Sequence, residues 1–258
     1  MEHGDFAANI RASHTPAAIQ NRLRAGRPHT YVRDFVFGAV DGIVTTFAVV
    51  SGVAGAGLAS GVVIILGAAN LVGDGFSMAA SNYLGTRADR QLVKRAREIE
   101  EEHVSQYPDG EREEIRQIFR AKGLSGDNLE QMVALVTSDR KHWIDTMIHE
   151  EYGLNPEGAI PWRAAAMTFA AFVLFGALPL LSFLYEFFVP ARSGSPYWTS
   201  SFVTGVAFFV VGAIKGRVVG QKWYRAGAET FVVGGMAAVL AYLVGVILKG
   251  VVPSPIRR

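Results

Sequence analysis

Five continuous apolar stretches constrain this chain more than any other feature. Each is long enough to cross a bilayer as a helix, and none alternates as a barrel strand would. They run over about 35–58, 60–83, 164–185, 197–214 and 226–248. The hydrocarbon core is about 30 Å thick and takes roughly 20 helical residues to cross. Within these stretches the charged residues are Asp41, Asp74 and Glu229. Pro179 in the third predicts a kink, because proline removes a backbone donor and clashes with the preceding turn. Trp162, Trp198 and Trp223 stand beside predicted span ends, where an aromatic belt places them.

Composition agrees with this architecture. Charged residues make up 19% of the 258 residues, against about 25% in a soluble domain, and the mean hydropathy is +0.23. The absence of cysteine excludes disulfide scaffolds, thiolate zinc sites, Fe–S clusters and thiol catalysis. A net charge of +2 is too mild to argue for nucleic acid. The expected fold is all-α, an integral membrane protein with five transmembrane helices. Its divisions are an N-terminal tail (1–33), helices one and two (34–85), a polar helical insert (86–160), helices three to five (161–250) and a C-terminal tail (251–258).

Basic residues set the expected orientation. With the N-terminus inside the cell, the inside segments hold 21 Lys and Arg and the outside segments 4, which are Arg192, Lys249, Arg257 and Arg258. The positive-inside rule therefore puts the N-terminus and the insert in the cytoplasm of a multi-pass protein. The first 30 residues lack the apolar core of a signal peptide and read as a loose tail. That tail, with no targeting segment, points to a bacterial inner membrane. Glycines at helix-packing spacing (Gly212 with Gly216, Gly216 with Gly220, and the group Gly52, Gly55, Gly57) permit close helix contact, a dimer included.

The insert carries 16 of the 23 acids. From Thr86 to Tyr107 there is neither Gly nor Pro, so the second span is expected to continue as one helix of about 40 residues. Pro108-Asp109-Gly110 reads as a turn, followed by helices over Glu111–Lys122 and Asp127–Tyr152, the latter as one or two pieces. About 70 residues make a marginal free domain, which a second copy or bound metal would stabilise.

Two constellations could carry chemistry. In the spans, Asp41 lies about 10 Å deep at helical rise, shares a face with Thr45, and can be level with Met78. Asn70, Asp74 and Met78 fall at i, i+4 and i+8 on the second span. An ionisable residue in a bilayer is a functional hypothesis by default; the plainer alternative is a capping acid or an ion pair with a basic loop. In the insert, Glu100 and His103, Glu111 and Glu114, and Met147 and Glu151 (with Glu150 alongside) each pair on one helical face. Converging, they suit Fe²⁺ or Mn²⁺, being oxygen-rich and free of thiolate. The plainer alternative is a solvated face paired with Arg95, Arg97 and Arg116. Glu100-x-x-His103 is also half of a di-iron signature that needs a second copy, so a membrane-anchored di-iron oxidase and a metal sensor stand as rivals.

At these residues the sequence resembles the vacuolar iron transporter family, which includes the yeast vacuolar iron carrier. The matching stretches are Arg33-Asp34, Asp41 to Ala48, Gly75 to Met78, Asn82 to Leu84, Pro108 to Glu111, Trp143 to Leu154 and Ile214 to Gly216. The resemblance implies a homodimeric five-helix transporter, not an enzyme, with a three-helix metal-binding insert grown from the second helix. It moves Fe²⁺ and often Mn²⁺ out of the cytoplasm, with proton exchange; Co²⁺ and Zn²⁺ are further candidate substrates, and no prosthetic group is expected. Carried over by position, Asp41 and Met78 line the pathway, and Glu100, Glu111, Glu114, Met147 and Glu151 bind metal. His103 stands where the family usually has Glu. Asn70 stands where plant members have a membrane carboxylate, with Asp74 supplying one a turn nearer the cytoplasm.

Overall fold

The computed structural model describes residues 10–24, 31–189 and 195–250. The C-terminal tail at 251–258, Arg192 and the remaining parts of the N-terminal tail lie outside the described residues. Among the described residues the regular structure is helical throughout.

The chain forms two units. The first, Met1–Thr30, was expected as loose tail but contains α1 (Pro16–Arg24). Its start has a local cause. The Thr15 hydroxyl accepts a hydrogen bond from the Ala18 amide at 3.3 Å, and Pro16 fills the first helical position, where a missing N–H costs nothing.

The second unit, Tyr31–Arg258, begins with α2 (Val32–Ala56) and α3 (Ser60–Gln106). Gly57, in the left-handed conformation (φ +69°), closes α2 with its amide on the Ala54 and Val53 carbonyls. At 47 residues α3 is one unbroken helix, about 70 Å long, so the predicted continuation of the second span holds. Next come α4 (Pro108–Ala121), α5 (Gly126–Thr137) and α6 (Arg140–Glu150), then α7 (Pro161–Gly176), α8 (Leu178–Phe188), α9 (Pro196–Val218) and α10 (Trp223–Lys249).

Four of these helices, α2, α3, α9 and α10, are each long and apolar enough to cross a membrane; α7 and α8, bent by 47°, together make up to a fifth. The bend is sharper than a kink. The helix breaks at Ala177, and Pro179 has no N–H for the Phe175 carbonyl. Trp162, Trp198 and Trp223 all lie in first turns and are exposed.

Helix α2 is the centre of the bundle, in contact with α3, α7, α8, α9 and α10. Lipid is as apolar as the side chains of such helices, so close backbone packing holds them together. A Cβ on Gly38 or Gly42 would strike the α7 backbone at Thr168 or Phe172, and one on Gly245 would strike Gly52. Gly212 likewise receives Ala226 and Thr230 of α10, and Gly216 receives Ala226 and Trp223 of the same helix, so this spacing is used within the chain.

The insert has its own core of Val104, Ile115, Leu129, Val133, Trp143, Ile144, Met147 and Ile148. Where water surrounds such a core, fully burying one Ile contributes roughly 1.5–3 kcal/mol. Pro108-Asp109-Gly110 is not a separate turn, contrary to expectation. Tyr107 alone breaks the chain direction, and Pro108 opens α4, as proline does at a first helical position. The last predicted segment is two helices because the Asp139 carboxylate caps α6, accepting from the His142 amide at 2.8 Å.

Candidate metal centre and membrane carboxylates

The corner at Tyr107 folds α4 back on α3, which brings Glu111 of the first α4 turn against Glu100 and His103. The ligand atoms of these three residues lie within 4.8 Å of one another. His103 Nδ1 is 3.4 Å from Glu111 Oε1 and 3.9 Å from Glu100 Oε1. Both acids are buried, at 1% and 4% exposure, whereas the imidazole is about half exposed at the rim. The Tyr152 hydroxyl donates to Glu100 Oε1 at 2.9 Å. The other oxygens, Glu100 Oε2 and Glu111 Oε2, are buried with no hydrogen-bond partner among the described residues.

Such a pair of carboxylates cannot both stay charged cheaply. Burial, then the charges of Glu100 and Glu114, push Glu111 up to about 7, against a weaker downward pull from His103. Burial and the same two neighbours also raise Glu151, and burial with the bond to Glu100 raises the Tyr152 hydroxyl. The cluster is deficient in positive charge and in hydrogen-bond donors. A proton or a cation would satisfy it.

The other insert candidates separate around this centre. Glu114 and Glu151 lie within electrostatic reach of it. Met147 is fully buried in the insert core. Glu150 is engaged elsewhere, paired with Lys122 and 3.4 Å from His149, which holds its carboxyl below the usual range. The solvated-face alternative describes Glu113, bonded to Arg116, whose guanidinium also reaches Glu130 at 2.7 Å. It does not describe Glu100 and Glu111, because Arg97 turns to Asp145 and Arg95 to Glu98.

In the spans, Asp41 is half-buried and feels the charge of Asp74 across the α2–α3 hairpin. The Asn70 amide donates to Asp74, and the Thr46 hydroxyl donates to Asn70 Oδ1 at 3.3 Å. Thr45 donates to the Asp41 carbonyl at 2.9 Å, within its own helix. At the other end of the hairpin, Asn82 donates to Asp34 at 2.8 Å and to the buried Thr168 at 2.7 Å. These pairs share one antiparallel register. In it Asp74 stands level with Asp41, and half-buried Met78 about one turn, roughly 5 Å, to the N-terminal side of Asp41. Asp74, Ser77 and Ser81 are exposed along α3.

Two residues had no part in the sequence-based site. Tyr152 sits next to Glu151 without any spacing signal; only the fold brings it to Glu100. Asn82 belongs to a matching stretch of sequence, but its three-helix bonding to Asp34 and Thr168 joins residues 48 and 86 positions apart.

Comparison with known proteins gives a consistent picture. The sequence pattern of the VIT family matches residues 32–246. A vacuolar iron transporter of Toxoplasma gondii is 33% identical over 228 residues, covering 86% of this chain and 76% of that protein. Vacuolar iron transporter 2 of Oryza sativa subsp. japonica is 31% identical, covering 82% of this chain and 85% of the relative. Vacuolar iron transporter 1 of Arabidopsis thaliana is 29% identical, covering 84% and 86%.

Proposed function

The chain belongs to the VIT family, and from that premise we propose that it carries Fe²⁺ across a membrane through a pathway lined by Asp41. It is a transporter and not an enzyme, as its vacuolar iron transporter relatives are. The observation that carries the reading is the Asp41–Asp74 pair. Two acids stand level in adjacent apolar spans, near enough for the charge of Asp74 to act on Asp41, and between residues 35 and 83 there is no Lys or Arg to neutralise them. A carboxylate in hydrocarbon is expensive, and a travelling cation or proton offsets that cost. Metal and proton then compete for the same charge, which gives exchange of Fe²⁺ for H⁺.

In this mechanism the insert and N-terminus face the cytoplasm, in keeping with 21 of 25 basic residues on that side. The insert concentrates the ion through Glu100, His103 and Glu111, with Glu114 and Glu151 in the surrounding field. Asp41, Asp74 and Met78 carry it through the membrane, and Mn²⁺ follows the same route because it accepts the same oxygen ligands. The working unit is a homodimer. The exposed Asp74–Ser77–Ser81 stripe of α3 would otherwise meet hydrocarbon, and a second copy covers it.

The test is flux into sealed proteoliposomes holding a metal-quenched dye, with Fe²⁺ and Mn²⁺ outside. The expected result is protein-dependent quenching that is faster when the interior is acidic. Equal quenching in protein-free vesicles would overturn the reading.

A further inference from the structure

The donor set at the insert centre is mixed. His103 is fixed to the unbroken α3 helix one turn beyond Glu100, with Nδ1 3.4 Å from Glu111 Oε1. Glu100 has one oxygen committed to Tyr152 and one buried without a partner, and Glu111 also has a buried oxygen without a partner. Three convergent groups therefore offer one nitrogen and two oxygens. The exposed flank of the imidazole leaves the rim open to solvent.

We propose that the His103 imidazole is a ligand that sets metal preference at this centre, biasing it toward Co²⁺, Ni²⁺ and Zn²⁺ over Mn²⁺ and against Mg²⁺ and Ca²⁺. The inference rests on reading the cluster as a metal site. Carboxylate oxygens alone discriminate weakly among divalent ions and suit Mg²⁺, Ca²⁺ and Mn²⁺. Imidazole is a softer donor, and its affinity climbs along the first-row series from Mn²⁺. A merely structural His103 would instead rest at the rim against Glu111, with no bond to the ion.

The experiment uses the full chain in detergent micelles. Mn²⁺ is added at one equivalent and read by pulsed electron paramagnetic resonance for coupling to an imidazole nitrogen; Co²⁺ and Mn²⁺ affinities are measured by calorimetry. The expected result is nitrogen coupling in the wild type, lost in His103→Gln. In His103→Glu the Co²⁺-over-Mn²⁺ preference should fall about tenfold while Mn²⁺ still binds. Mn²⁺ bound at the same stoichiometry without nitrogen coupling, or an unchanged preference in both variants, overturns the role of His103 and leaves the site standing. Binding that survives intact in Glu100→Gln with Glu111→Gln overturns the site itself, and the His103 inference with it.

Discussion

Glu111 faces Glu100 across the α3–α4 corner with a buried oxygen on each side that no described residue satisfies. One proton on Glu111 would relieve the pair at acid pH, and a divalent cation would do so at neutral pH.

Metal binding at the insert should strengthen as pH rises through about 7, where Glu111 loses its proton in the folded protein. The sign for stability is opposite. The folded chain holds that proton up to about 7, an ordinary carboxyl only to 4.5, so the native state binds more protons between those values. Metal-free stability therefore falls over that window as pH rises. Calorimetry in buffers of different ionisation enthalpy should find proton release on Mn²⁺ binding at pH 6 and little at pH 8. Equal release at both would contradict the assignment.

Glu150→Gln should leave metal stoichiometry at the insert unchanged. Its carboxylate is held by Lys122, so the variant loses a partly exposed ion pair, a change of about 0–1 kcal/mol. Thermal unfolding and Mn²⁺ titration of the same sample check both halves. A lost binding equivalent would return Glu150 to the ligand set.

Gly42→Leu should prevent the α2–α7 contact from forming, because even a Cβ there runs into the Phe172 backbone. Overpacking of this kind costs about 1–3 kcal/mol or more. The readout is the yield of folded protein on size-exclusion chromatography in detergent. Wild-type yield and melting temperature would show that α7 does not approach α2 as described.

Asn70→Leu should slow Fe²⁺ flux without dispersing the folded protein. Asn70 links Thr46 to Asp74, and removing the link frees the carboxylate that stands level with Asp41. Undiminished flux with normal folding would assign the chain of hydrogen bonds to structure alone.

Much of this architecture was legible because bilayer thickness and helical rise leave few choices for an apolar stretch. Four of the spans and the extension of α3 came from composition alone, whereas the third span is a pair of helices broken at Ala177. Corrections arose where one residue outweighs a local pattern. Pro108 opens a helix instead of a turn, and Thr15 with Pro16 starts a helix in a tail read as loose. At the site, i, i+3 spacing put Glu100 and His103 on one face, but only the fold distinguishes buried Glu111 from solvated Glu113. The roles of Tyr152 and Asn82 depend on partners tens of residues away, which periodicity does not report.

The most direct measurement compares initial Fe²⁺ flux into sealed proteoliposomes for the wild type and Asp41→Ala, with equal amounts of folded protein. Loss of nearly all protein-dependent flux in the variant, with Mn²⁺ binding at the insert retained, is the predicted result. Full flux through Asp41→Ala would contradict the claim that this carboxylate is kept in the membrane to carry the ion.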